Sequence, residues 1–168
     1  MHRIVKIQYR KRVLHFIAGP YMERVPGTLG VKLAQEIAAP CDIDLPAPDF
    51  STWDQKAFED ALMKTISLSM AGEVPYIGCF AGQGRTGTFL AALFRCLSDS
   101  TEDPVKWVRR VYNPHAVETE AQAALVSGFD VQRVHDTLHL DPDGRVTIEE
   151  FFARMGSWLR QRLPVKQA

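Results

Sequence analysis

Apolar and polar positions alternate along "RIVKIQYR", and after a short basic break "RVLHFIAG" continues in kind, so residues 3–19 predict a β-hairpin. "GTLGVKLAQEI" predicts a short helix. "CDIDLP" reads as a brief strand running into "APDFSTW", where Pro46, Pro48 and Asp49 mark a loop. Ser51 and Thr52 are N-cap candidates for the helix that follows, with Asp54 and Gln55 three positions on. That helix carries Phe58, Leu62, Ile66 and Met70 at four-residue spacing, one buried stripe.

"VPYIGCF" is an apolar run of strand length, and "TGTFLAALFRCL" is apolar nearly all round, as a helix in the middle of a domain should be. Asp103-Pro104 then opens "PVKWVRRVY" as a cap with proline in the first turn. A longer helix is expected from about Glu118. A buried strand, a glycine-rich loop and a buried helix, flanked by further helices, predict a layered α/β fold. There is no internal repeat or low-complexity tract.

Composition changes this picture little. At 168 residues, one domain spanning 1–168 is expected, with 136–168 a C-terminal turn and helix extension. Lys plus Arg and Asp plus Glu both number 20, so no net field favours nucleic acid or an anionic membrane as partner. Three cysteines, Cys41, Cys79 and Cys96, fit a reducing interior better than a disulfide framework. Charges interrupt every apolar run of the first twenty residues, and no segment approaches the ~20 apolar residues of a membrane span. The expectation is a soluble protein of the cytoplasm.

The chemistry concentrates in "CFAGQGRTGT", residues 79–88, between the buried strand and the buried helix. Amides at a helix N-terminus lack internal partners and sit at the positive end of the dipole, so they attract anions. Gly82 and Gly84 let successive amides turn inward as a nest for phosphate, and Arg85 adds a bidentate fork to the same oxyanion. That field favours the thiolate form of the cysteine beside it. Together these features hold a tetrahedral dianion over a nucleophilic sulfur.

Cys79, the five residues "FAGQG", Arg85 and Thr86 resemble the loop of the cysteine-dependent tyrosine and dual-specificity protein phosphatases. Two further stretches resemble that superfamily: "LPAPDFS", which puts Asp49 where its general acid stands, and "AVETEAQAALVSGF" beyond the loop. The likeness covers roughly residues 42–130 and implies a compact dual-specificity-phosphatase-like fold, a central, mostly parallel sheet flanked by helices. One departure stands out. The family nearly always has histidine before the cysteine, where this chain has Gly78, and that histidine helps organise the loop and tune the thiol.

The resemblance implies a metal-independent, cofactor-free hydrolysis of phosphomonoesters. Cys79 would attack phosphorus while Asp49 protonates the leaving oxygen, Arg85 and the amides of Phe80, Ala81, Gly82, Gln83 and Gly84 would hold the phosphoryl oxygens, and Thr86 would hydrogen-bond the departing sulfur. Gln122 is a weaker candidate for positioning the attacking water, and Asp54 is the reserve acid. The loop carries no lysine, arginine or histidine among Phe80 to Gly84, which favours a phosphoprotein substrate: phosphotyrosine, with some phosphoserine and phosphothreonine. Two alternatives stay open. One is a phosphate-binding pseudophosphatase or interaction module without turnover, and the other a phosphatase of a non-protein monoester such as a phosphoinositide.

Plainer readings suffice elsewhere. Cys96 fits a core position, and Cys41 is a conceivable disulfide partner for an oxidised Cys79. Asp103-Pro104 is better read as a helix cap than as an acid loop. "HLDPDGRVTIEEFF" aligns Asp141, Asp143, Gly144 and Glu150 with an EF-hand loop, but His139 occupies the first ligand position and Pro142 stiffens it. An acidic turn followed by a helix is preferred there, its Phe152, Met155, Trp158 or Leu159 packing on the domain, and no metal site is expected.

Overall fold

The computed structural model describes residues 1–138 and 140; the acidic turn from His139 to Glu150 and the helix expected after it lie outside the described residues, Leu140 apart. Among the described residues five strands form one sheet in the order β1-β2-β5-β3-β4. Strands β1 (Arg3–Tyr9) and β2 (Arg12–Pro20) make the expected antiparallel hairpin. Val5, Ile7, Leu14, Phe16 and Ala18 alternate into the core, as a period of two requires. Arg10, with φ +53°, supplies the left-handed first residue of the two-residue turn. The other three pairings, β2 with β5, β5 with β3 and β3 with β4, are parallel.

The stretch expected as a helix after residue 27 is instead strand β3 (Gly30–Ala34). Its five residues are all buried because β3 lies between β4 (Ile43–Ala47) and β5 (Tyr76–Cys79), so tertiary pairing overrides the helix-forming Lys32, Leu33 and Ala34.

Helix α1 (Gln55–Met70) buries Phe58, Leu62 and Ile66 on the stripe read from the sequence. Its N-cap is Asp54, whose carboxylate accepts from the Ala57 amide at 3.0 Å, and not Ser51 or Thr52. The start is delayed because Trp53 is held in the core: its indole N–H donates to the Leu45 carbonyl at 2.8 Å and its ring stacks on Phe58. Residues 48–53 thus stay a loop at the end of β4.

Helix α2 (Gly84–Leu97) is buried along almost its whole length, and α3 (Pro104–Val111) is capped by Asp103, which accepts from the Lys106 amide at 2.8 Å. The single helix expected from Glu118 is two. Helix α4 (Glu120–Gly128) is capped by Thr119, and α5 (Val131–Leu138) follows a break in which Asp130 accepts from the Arg133 amide. Buried Glu59 of α1 binds Arg133 and the Asp130 amide, which fixes α5 against α1. Among the described residues no helix is long and apolar enough to cross a membrane.

Candidate active site

In open α/β sheets the working crevice lies beyond the carboxyl ends of the parallel strands. Cys79 is the last residue of β5, level with Pro20 of β2, and the loop after it leads straight into α2. Gln83 occupies the N-cap of α2 without a side-chain cap, so the first-turn amides are left for another acceptor. Gly82 has φ +70° and lies against the Gly19–Pro20 peptide; an added Cβ would stand 2.5 Å from the Gly19 carbonyl carbon and 2.6 Å from the Pro20 nitrogen. Only glycine fits there.

Thr86 is committed to the cysteine. Its hydroxyl accepts from the Cys79 amide at 2.9 Å and donates to Cys79 Sγ at 3.1 Å. Arg85 is 1% exposed, and two of its nitrogens are engaged. Nη1 donates to Glu36 Oε2 at 2.9 Å and to the Ala47 carbonyl at 2.7 Å, and Nη2 donates to Glu36 Oε1 at 2.5 Å. Nε is buried without a partner, a charged donor available to an oxyanion. Burial works against the Arg85 charge, but its hydrogen bonds to Glu36 and the neighbouring Cys79 and Asp49 outweigh it and raise its pKa. The same pairing with Arg85 holds the Glu36 carboxyl below the usual range.

Asp49 is brought to this cluster from the loop after β4. Its Oδ1 lies 3.0 Å from Arg85 Nη2 while the side chain stays 57% exposed, open to a bound molecule. The turn that presents it is strained, with Phe50 at φ +56°, a conformation uncommon for a bulky residue. Pro48 accepts from the Ser51 amide at 3.3 Å, and the buried Gln122 donates Nε2 to the Ser51 carbonyl at 3.1 Å. Gln122 Oε1 accepts from the Glu118 amide at 2.8 Å, so its amide group ties α4 to the acid loop. The reserve acid, Asp54, is used as the cap of α1.

Three participants carry no signal in the sequence. Glu36 lies just beyond β3, far from the loop in the chain. Glu118 stands over the start of α2, its Oε2 2.0 Å from where a Cβ on Gly84 would be. Tyr112, at the end of α3, donates its hydroxyl to the Gly82 carbonyl at 2.5 Å.

The structure also accounts for Gly78. A Cβ there would come within 2.7 Å of the Gly19 carbonyl oxygen, 2.8 Å of Tyr21 Cα and 2.9 Å of the Tyr21 amide nitrogen. The chain turning out of β2 covers this face of β5, and no side chain fits beneath it. The other cysteines stand apart. Cys96 is buried in α2, which pushes its thiol up to about 12. Cys41 lies just before β4 and Cys79 ends β5, at opposite ends of parallel strands with β3 between them. Two strand spacings across are by themselves about 9–10 Å, beyond the roughly 7 Å limit of a disulfide. The pairing conceived for Cys41 and an oxidised Cys79 therefore does not fit this fold.

No protein-family model and no curated protein matches the sequence. Solved structures do match in fold. Tk-PTP in its active form superposes with a TM-score of 0.52 over 73% of this chain and 93% of its own, at 23% identity. A glycine-to-alanine mutant form of Tk-PTP gives 0.53 over 81% and 97%, at 22% identity. Kinase-associated phosphatase with its catalytic-site cysteine replaced by serine gives 0.54 over 83% and 97%, at 14% identity. The chain has the α/β fold of these phosphatases, the mostly parallel sheet flanked by helices that the sequence led one to expect.

Proposed function

We propose that this protein is a cysteine-dependent phosphomonoester hydrolase acting on phosphoproteins, phosphotyrosine first and phosphoserine or phosphothreonine second. The observation that carries the reading is the meeting of three separate elements: Cys79 under the Thr86 hydroxyl, Arg85 with a free buried Nε, and Asp49 3.0 Å from Arg85.

In the first step the Cys79 thiolate attacks phosphorus in line with the leaving oxygen. The S–P bond forms, the ester O–P bond breaks, and Asp49 gives its proton to the departing oxygen. Arg85 Nε and the amides of Phe80 to Gly84 hold the three remaining oxygens as their charge redistributes. In the second step Asp49, now ionised, takes a proton from water as its oxygen attacks phosphorus. The S–P bond breaks, and the Thr86 proton, already directed at Sγ, stabilises the returning thiolate. Gln122, the weaker candidate for positioning the water, serves both steps by holding the loop that carries Asp49, both ends of its buried amide being engaged there. The loop supplies the positive field, so the scheme calls for no metal or cofactor.

The surroundings favour a singly phosphorylated group. Three carboxylates, Glu36, Asp49 and Glu118, stand around the loop, which disfavours additional phosphates on the substrate. Phe50 and Phe80 are exposed large aromatics, on the acid loop and the phosphate loop respectively, and offer apolar surface to an aryl ring.

Hydrolysis of a chromogenic aryl phosphate, with and without vanadate and in excess chelator, tests this reading. Turnover that vanadate inhibits and chelator leaves intact is expected. Binding of vanadate without turnover would establish the pseudophosphatase instead.

A further inference from the structure

The Gly82–Gln83 peptide is a weak point of the loop. Gly82 sits at φ +70°, where a glycine has other conformations within easy reach, so this peptide plane can rotate at little cost unless something holds it. The Tyr112 hydroxyl meets its carbonyl at 2.5 Å, across thirty residues of chain, from a side chain only 3% exposed. Tyr112 is itself clamped. Its amide donates to the Val108 carbonyl at 2.9 Å, and its own carbonyl accepts from Arg3 Nη1 at 2.7 Å. The phenol therefore reaches Gly82 from a backbone fixed at both ends, while the Gly19–Pro20 peptide packs on Gly82 Cα.

In a planar trans peptide the carbonyl and the following N–H point in opposite directions. Fixing the Gly82 carbonyl toward Tyr112 thus fixes the Gln83 N–H away from it. We propose that Tyr112 is a positioning residue of the phosphate loop: its hydroxyl locks the Gly82–Gln83 peptide so that the Gln83 N–H faces the oxyanion over Cys79. The proposal rests on the phosphatase reading above, and its test separates the two.

Tyr112→Phe removes one O–H and keeps the shape. The variant and the wild-type protein are compared for thermal midpoint, for kcat and KM on an aryl phosphate, and for vanadate affinity, well below the melting range. Losing one loop donor should lower kcat/KM and vanadate affinity together by roughly 10-fold, with kcat falling more than KM rises. A fluorotyrosine at the same position keeps the donor and should restore both. A lowered melting temperature with wild-type kcat and vanadate affinity would make Tyr112 merely structural and overturn the proposal. Equal impairment in the phenylalanine and fluorotyrosine variants would overturn it too, since packing and not the hydroxyl would then matter. A wild-type protein that binds no vanadate would instead remove the phosphatase reading, and this proposal with it.

Discussion

Replacing Gly78 by alanine adds one methyl group at the most crowded position beside the candidate nucleophile. The new Cβ would lie 2.7, 2.8 and 2.9 Å from the Gly19 carbonyl oxygen, Tyr21 Cα and the Tyr21 nitrogen, all of them backbone. None can swing aside as a side chain would. Strand β5 is paired on both edges, with Gly19 opposite Gly78 on one side and Lys32 on the other, so it cannot retreat either. Overpacking typically costs about 1–3 kcal/mol, and three backbone contacts put this case near 3 kcal/mol. For a domain of this size that corresponds to a fall in Tm of roughly 6–12 °C. Gly128 is the matched control. It ends α4 with nothing within 4 Å of an added Cβ, so alanine there should be neutral or stabilising by about 0.5 kcal/mol. Thermal melts of the three proteins by circular dichroism measure both changes. If Gly78→Ala melts with the wild type, the account of why no side chain precedes Cys79 is wrong.

Further outcomes follow from the site. Asp49→Ala should lose ~10²–10⁴-fold with phosphotyrosine peptides and clearly less with activated aryl phosphates, whose leaving groups need no proton; equal first-step losses in burst kinetics would make Asp49 structural. Arg85→Lys should be severely impaired, because a point charge can reproduce neither the fork to Glu36 nor the free Nε; near-full activity would deny Arg85 its role as clamp. Glu36 has a depressed folded-state pKa, so its contribution to stability is present above the ordinary carboxyl value and lost as pH falls through the folded one. The stability gap between wild type and Glu36→Gln should therefore shrink as melts are taken from about pH 6 to about pH 3; a gap independent of pH would mean that the Glu36 charge is not what matters.

The loop from Cys79 to Thr86 was legible because its chemistry is written in consecutive residues. The helices α1, α2 and α3 were legible because their stripes and the Asp103 cap are local. Strand β3 was not, since only burial between two other strands makes "GVKLA" extended, and that information lies in β4 and β5. The break between α4 and α5 was signalled by Gly128 and Asp130, but an apolar rhythm running through it concealed the stop. Asp49 announced itself through the prolines around it. Glu36, Glu118 and Tyr112 did not, because they meet Arg85, Gly84 and the Gly82 carbonyl through tertiary packing, with no spacing to mark it. Gly78 looked like a missing part in the sequence, and the structure shows a position closed by the Gly19–Tyr21 backbone.

The central claim is that Cys79 becomes covalently phosphorylated. Acid quenching of the enzyme during turnover of an aryl phosphate, followed by mass spectrometry of its peptides, examines this directly. A phosphoryl group is expected on the peptide bearing Cys79, absent from Cys79→Ser, which should still bind vanadate but not hydrolyse the ester. Undiminished hydrolysis by Cys79→Ser, or a phosphoryl group on any other residue, would contradict it.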